Sequence, residues 1–135
     1  MSRMIFPNLP VTDLPRSVDF WKGLGFDFNP RFSNDDAACL VVSELASVML
    51  LTEKFFGTFT HKEVADTSRS AEVILAFSAD SRAEVDRLVD TALSTGGSAA
   101  NDPQEEGFMY SRSFHDPDGH MWEVLFMDPA AILEA

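Results

Sequence analysis

The sequence predicts an α+β fold in which two β-α-β-β-β modules curve their sheets around a cleft. Two helical segments, VTDLPRSVDFWKGLGFDF and SADSRAEVDRLVDTALSTGG, occupy equivalent places after a strand pattern. Each begins at a capping residue and ends at glycine, as helices commonly do. Strand patterns follow both helices in the same order, so a duplicated unit accounts for the arrangement of the chain.

The first module is predicted to occupy residues 1–53. Its opening strand, residues 4–11, contains two prolines, which suits an edge strand or an irregular one. Asp13 is the expected N-cap of a helix over residues 13–24, which ends near a pair of glycines. The three strands expected after this helix cover residues 26–32, Ala37–Ser43 and residues 47–52.

Residues 54–70, KFFGTFTHKEVADTSRS, form a connector that is aromatic at first and polar afterwards. This segment is too long for a hairpin loop. Its three phenylalanines need to be covered by other groups. Residues 55–59 are therefore expected to form either a lid over a pocket or a dimer contact.

The second module is predicted over residues 71–128, followed by a tail of residues 129–135, and the two modules together form one domain. Ser81 and Glu84 have the spacing of a capping box that starts a helix over residues 81–95. The other elements expected here are strands over residues 72–78, 98–101, 108–114 and 120–127, and a loop over residues 102–107.

The composition excludes several classes of function. A net charge of −12 and a pI near 4.4 argue against nucleic acid and anionic membranes as partners. No apolar run approaches the ~20 residues of a membrane span, and the N-terminus lacks the apolar core of a secretion signal. Cys39 is the single cysteine, so neither an intrachain disulfide nor a cysteine-rich zinc site can form. These features predict a soluble, reduced protein of the cytoplasm.

The strongest local signals lie in residues 114–128, FHDPDGHMWEVLFMD. Asp116-Pro117-Asp118-Gly119 is a turn sequence, because proline presets φ, aspartate bonds to its own backbone and glycine accepts a positive φ. In the strand that follows, Glu123 shares a face with three large apolar residues. A carboxylate in that position must be paired, protonated or bound to a metal, because burying it charged and alone is costly.

Two hairpin registers give different partners for Glu123. If the hairpin closes without a bulge, Arg112 lies directly across from Glu123 on the same face, where an ion pair satisfies the carboxylate. If the turn is type I with a bulge at Gly119, Ser113 takes that place and Arg112 faces away. The residues leave both registers open, and with them the ion-pair and the ligand interpretations of Glu123.

Two segments, VTDLPRSVDFWKGLGF near the start and FHDPDGHMWEVLFMD near the end, resemble the vicinal oxygen chelate superfamily. That superfamily includes glyoxalase I, bleomycin-resistance proteins and extradiol dioxygenases. The closing motif, an aromatic residue before DPDG and a glutamate four residues after the glycine, is typical of it. The resemblance implies paired βαβββ modules, a half-barrel cleft and usually a dimer.

Enzymes of this superfamily usually hold a divalent metal with residues from the first, fourth, fifth and eighth strands. Matching the motifs places Phe6, Leu50, Glu72 and Glu123 at those positions of this chain. Because Phe6 and Leu50 offer no ligand atom, the resemblance implies either no cofactor or a divalent metal held weakly by Glu72 and Glu123. Two carboxylates with water suit Mg²⁺ or Mn²⁺ better than zinc.

The resemblance leaves three candidate functions. The favoured one is a binding protein of the antibiotic-resistance type, which holds a small, largely apolar molecule in its cleft without chemistry. The second is a glyoxalase-like lyase or isomerase with Glu72 and Glu123 as catalytic residues, and the third is an extradiol-type dioxygenase. The expected partners are a small-molecule ligand and a second copy of the chain, in a homodimer. The residues expected to line the cleft are Phe6, Asn8, Leu50, Tyr110, Arg112 and Trp122.

Overall fold

The structure is a computed structural model in which residues 2–130 are described. The chain forms two compact units, Met1–Asp66 and Thr67–Ala135. Of the tail predicted over residues 129–135, residues 131–135 lie outside the described part. Within residues 2–130, no helix is both long enough and apolar enough to cross a membrane.

The first unit is a four-stranded sheet with one main helix. In chain order its elements are β1 (Asn8–Val11), α1 (Leu14–Gly23), β2 (Asp27–Asn29), β3 (Ala37–Ser43), β4 (Ala46–Thr52) and the short α2 (Glu53–Phe56). The strand order is β1-β4-β3-β2, with β1 parallel to β4 and the other neighbours antiparallel. Helix α1 packs against β3 and β4. It buries Phe20 and Trp21 almost completely, and a buried side chain of that size contributes roughly 1.5–3 kcal/mol.

The second unit repeats this plan with one extra strand. Its elements are β5 (Ile74–Ser78), α3 (Arg82–Ser94), β6 (Ser98–Ala99), β7 (Gln104–Glu106), β8 (Met109–His115) and β9 (Met121–Met127). The strand order is β5-β9-β8-β6, with β7 paired to β8 and β5 parallel to β9. Helix α3 packs against β8 and β9, where Phe114, Trp122 and Val124 are at most 1% exposed.

The predicted α+β fold of two βαβββ modules is confirmed, and so are both main helices. Asp13 caps α1, since its side chain accepts a hydrogen bond from the Arg16 N–H. Ser81 caps α3 in the same way through the Glu84 N–H. The Glu84 carboxylate completes the cap on the N–H of Asp80, one residue earlier than a standard capping box.

The prediction of a loop over residues 102–107, and with it of eight strands in all, is wrong. The described residues contain nine strands, because Gln104–Glu106 pairs with β8 across a two-residue turn at Gly107 and Phe108. Gly107 has a φ of +50°, which such hairpin turns require. This strand is exposed and polar, so it lacks the alternation of apolar residues that indicates a strand in a sequence.

Several predicted strands are shorter in the structure than expected, among them β6, which ends at Ala99 instead of residue 101. β1 starts at Asn8, because the preceding Pro7 has no N–H group to donate to the sheet. Before Pro7, Ile5 makes only an isolated bridge to Ala46. β2 ends at Asn29, which caps a 3₁₀ turn over Pro30–Phe32. β5 starts at Ile74, so Glu72 lies outside the strand, where its carboxylate is bonded to His120.

Candidate functional site

The hairpin of β8 and β9 places Glu123 directly across from Ser113. The Asp116 N–H donates to the carbonyl of His120, and the Gly119 N–H donates to the carbonyl of Asp116. Gly119 has a φ of +87°, so the loop has three residues with glycine in the left-handed position. This geometry selects the second of the two predicted registers.

Arg112 lies on the opposite face of the sheet from Glu123, so the predicted ion pair between them is wrong. Its Nη1 lies 3.0 Å from Asp86 Oδ1 and 2.9 Å from Asp90 Oδ1, and both aspartates belong to α3. The shift of one residue in register reverses the face on which every side chain of the strand lies. Arg112 therefore joins the sheet to the helix.

Tyr110 lies on the same helix-facing side as Arg112. Its hydroxyl donates to Asp86 Oδ1 at 2.6 Å, and the guanidinium of Arg82 lies 4.3 Å from the centre of its ring. The hydrogen bond from Tyr110, with the one from Arg112, holds the pKa of Asp86 below its ordinary value. The same bond raises the pKa of Tyr110.

Trp122 is also on the helix-facing side, 1% exposed. Its Nε1 donates to Asp116 Oδ2 at 2.9 Å, while Asp116 Oδ1 accepts the N–H groups of Asp118 and His120. Burial raises the pKa of Asp116, and these three donors favour the charged form. Asp116 therefore fixes the hairpin turn to the core, a role the sequence indicated only in part through its turn motif.

The structure does not bring Glu72 and Glu123 together. Glu72 Oε1 lies 2.7 Å from His120 Nδ1, and His120 is 1% exposed. Ala76, rather than Glu72, is the β5 residue paired with Glu123. Glu72 is four residues earlier, roughly 13 Å along an extended chain. The structure therefore places the two residues predicted as a metal pair apart from each other.

The first unit shows a similar displacement at Leu50. Asn8 pairs with Met49 and Leu9 with Leu50, so Leu50 lies on the other strand face from Asn8 and is 1% exposed. The bridge of Ile5 to Ala46 has the same register, which places Phe6 on the face of Met49. Met49, not Leu50, therefore shares a face with Phe6.

The donors at these positions do not fit a divalent metal of the superfamily type. The corresponding pairs, each starting five residues before a helix cap, are Asn8 with Met49 and Ala76 with Glu123. The Asn8 amide already donates to the carbonyl of Phe6 at 2.7 Å. Among residues 2–130, no group of three or more histidine, cysteine, aspartate or glutamate side chains could hold a metal ion. Catalytic zinc takes three protein ligands.

The sheet face around Glu123 is largely apolar and partly open. Ile74 on edge strand β5 is 56% exposed, and Met121 and Leu125 on β9 are half-buried on either side of Glu123. Ser113 lies across from it and accepts the Asn101 N–H at 2.9 Å. Within the described residues Glu123 forms no hydrogen bond or ion pair. We call this surface the Glu123 face.

Each unit also contains a cavity. The one in the first unit, about 430 Å³, lies between α1 and the start of β3, with Leu14, Val18 and Phe28 among its lining residues. The one in the second unit, about 410 Å³, lies beside the turn that precedes β9. Of the residues predicted for the site, Glu72 lines the second cavity, and the others line neither.

Two βαβββ units, with the DPDG hairpin and its glutamate at the end of the second, define the class of fold. The family model for the Glyoxalase/Bleomycin resistance protein/Dioxygenase superfamily matches residues 4–124. The chain belongs to this superfamily, as the resemblance of its motifs indicated.

Solved structures agree with this assignment of the fold. A hypothetical protein from S. aureus is 27% identical, with a TM-score of 0.78 over 93% of this chain and 94% of that one. A glyoxalase/bleomycin resistance protein/dioxygenase family enzyme from Burkholderia phytofirmans PsJN is 16% identical, with a TM-score of 0.76 over 93% and 99%. A bleomycin resistance determinant encoded on transposon Tn5 is 18% identical, with a TM-score of 0.64 over 95% and 99%. Comparison with curated proteins gave no match.

Proposed function

We propose that this chain is a binding protein of the glyoxalase/bleomycin-resistance type, which holds a small, largely apolar molecule on the Glu123 face without metal chemistry. The observation that carries the proposal is a half-buried carboxylate that lacks a partner among residues 2–130, surrounded by Ile74, Met121 and Leu125. A ligand that covers these apolar side chains excludes water from them. It should then provide a donor to Glu123, because a covered carboxylate without one is costly.

The charge of the protein adds a preference for the sign of the ligand. With a net charge of −12, the chain attracts cations and repels anions. The ligand best suited to the Glu123 face is therefore an apolar, flat molecule with one amine or other N–H donor. A homodimer in the cytoplasm is the setting expected for this function.

The lyase or isomerase alternative required Glu72 and Glu123 to act on one substrate. The carboxylate of Glu72 is bonded to the buried His120, while Glu123 faces Ser113 and Ala76. This arrangement gives no support to a shared catalytic role. No structural feature favours the dioxygenase alternative, since the corresponding positions of the first and fifth strands hold Asn8 and Ala76, neither of which is a metal-binding histidine.

Three naphthalene compounds of nearly equal size test the proposal by calorimetry: 1-naphthylmethylamine, 1-naphthalenemethanol and 1-naphthaleneacetate. The amine should bind at least about tenfold more tightly than the alcohol, because a charged hydrogen bond contributes about 1.5–3 kcal/mol. Glu123→Gln should remove most of that preference, whereas Glu106→Gln on the exposed β7 should retain it. Tighter binding of the alcohol than of the amine, or a preference for the amine that survives Glu123→Gln, would contradict the proposal.

A further inference from the structure

The cavity of about 410 Å³ in the second unit has a different character from the Glu123 face. It lies beside the Asp116–Gly119 turn, and its walls include residues 67–72 together with Ser98, His115 and Met121. Several of these residues carry hydroxyl, guanidinium or imidazole groups. Met121 borders both the cavity and the Glu123 face, but Glu123 does not line the cavity, so the cavity can hold a ligand different from the one proposed above.

Residues 67–72, which we call the strap, are fixed at both ends. The Thr67 hydroxyl donates to the carbonyl oxygen of Asp118, and the Glu72 carboxylate is bonded to His120 Nδ1 at 2.7 Å. Gly119 lies directly beneath the strap, since a Cβ there would stand 2.6 Å from the Thr67 carbonyl oxygen. The strap is therefore held on the turn before any ligand arrives, which lowers the entropy cost of binding.

Arg69 lies between these two anchors and lines the cavity. Within residues 2–130 it forms no hydrogen bond or ion pair, unlike Arg82 and Arg112, each of which is paired with a carboxylate. The chain has 22 acidic and 10 basic residues, so acidic side chains are plentiful. An arginine left unpaired in a cavity of such a protein is available to an anion from outside.

His115 lines the same cavity from β8, and its ring forms no hydrogen bond with the described residues. Ser98, paired with His115 in the sheet, adds a hydroxyl to the same wall. These groups supply hydrogen-bond donors of different geometry. The planar fork of the Arg69 guanidinium matches the two oxygens of a carboxylate.

Glu72 sets a limit on the charge that the cavity accepts. Its Oε1 is taken by His120, but its negative charge remains at the edge of the cavity. A ligand with two negative charges is repelled by Glu72 about twice as strongly as one with a single charge. The attraction to Arg69 doubles as well, but the protein as a whole carries a net charge of −12 and also repels a dianion more strongly, so a carboxylate monoanion is better suited than a dianionic phosphate.

We propose that this cavity binds the carboxylate group of a small organic acid, with Arg69 as the principal contact and His115 as a second donor. The site differs from the Glu123 face in the sign of the charge it selects. The two sites can therefore be tested separately, since each responds to a probe that the other disfavours.

Calorimetric titration with sodium propionate, at fixed ionic strength and pH 8, tests the proposal on the full chain. Arg69→Gln should weaken propionate binding at least about tenfold, as expected for loss of a charged hydrogen bond. Arg31→Gln provides a matched control, since Arg31 is another exposed arginine and lies in the first unit. Both substitutions replace exposed side chains, and a thermal melt confirms that each variant is folded.

Two further measurements locate the bound acid. In NMR spectra the ring signals of His115 should move on addition of propionate, while those of His61 should not. Inorganic phosphate, a dianion at pH 8, should bind more weakly than propionate. Equal propionate affinity in Arg69→Gln and the unsubstituted protein, tighter binding of phosphate, or a His115 signal that does not move would overturn the proposal.

Discussion

Ser113 lies directly across the last hairpin from Glu123, while its neighbour Arg112 lies on the opposite face in contact with two aspartates of α3. Glu123 is therefore not paired with Arg112, the cation that lies across from it in the register without a bulge. This arrangement leaves the Glu123 carboxylate available to the ligand proposed above, because Arg112 is bonded to aspartates instead.

Arg112 and Glu123 should make independent contributions to stability. Arg112→Ala should cost about 1 kcal/mol through its bonds to half-exposed aspartates, and Glu123→Gln should change stability by less than ~0.5 kcal/mol. Urea denaturation of both single variants and the double variant measures the coupling, which should be zero within about 0.5 kcal/mol. A coupling above ~1 kcal/mol would mean that the two side chains interact.

Asp116 should be the most sensitive carboxylate of the hairpin. Asp116→Asn keeps one acceptor oxygen but turns an N–H group toward the indole N–H of Trp122, two donors that cannot pair. The loss should be about 1–3 kcal/mol, measured by urea denaturation. Asp102→Asn, at an exposed position, is the control and should change stability little. Equal stability of the two variants would refute the role given to Asp116.

Asp86 should show the reverse pH behaviour to a buried, unpaired acid. Because the bonds from Tyr110 and Arg112 lower its pKa in the folded state, its contribution is present above the unfolded pKa. That contribution is lost as the pH falls through the lower folded value. NMR titration should find the pKa of Asp86 below the ordinary range, and Tyr110→Phe should raise it. An unchanged Asp86 pKa in Tyr110→Phe would show that the hydroxyl bond has no such effect.

Local signals in the sequence were sufficient for the two main helices and for most of the strands, but not for the short α2. Asp13 and Ser81 act through bonds to residues three positions away, so the sequence shows them directly. The hairpin register could not be predicted in this way. A loop longer by one residue exchanges the faces on which Arg112 and Ser113 lie, and the sequence allowed both loop lengths.

Long-range partners could not be predicted from the sequence either. Glu72 and His120 are 48 residues apart, and only the folded chain shows that they meet. The resemblance to the superfamily placed Glu72 at a metal position by its alignment. In the structure, the β5 residue paired with Glu123 is Ala76 instead.

The aromatic segment at residues 55–59 remains a predicted dimer contact or lid. Phe59 is 68% exposed, and its ring lies 5.0 Å from that of Phe55 in an edge-to-face arrangement. If this segment forms a homodimer contact, Phe59→Ser should raise the dimer dissociation constant at least about tenfold, because a buried phenylalanine contributes roughly 1.5–3 kcal/mol. Phe32→Ser, at a position 62% exposed, is the matched control. Sedimentation equilibrium measures this dissociation constant. A wild-type protein that is monomeric at high concentration would contradict the predicted homodimer.

Binding by the metal-free protein tests the central claim most directly. The protein is dialysed exhaustively against a chelator, its metal content is measured by mass spectrometry, and 1-naphthylmethylamine is then titrated by calorimetry. The account predicts no stoichiometric metal and saturable binding of one ligand per chain, unchanged when Mg²⁺, Mn²⁺ or Zn²⁺ is added. Stoichiometric zinc or iron that resists dialysis, or binding that appears only after a metal is restored, would contradict it.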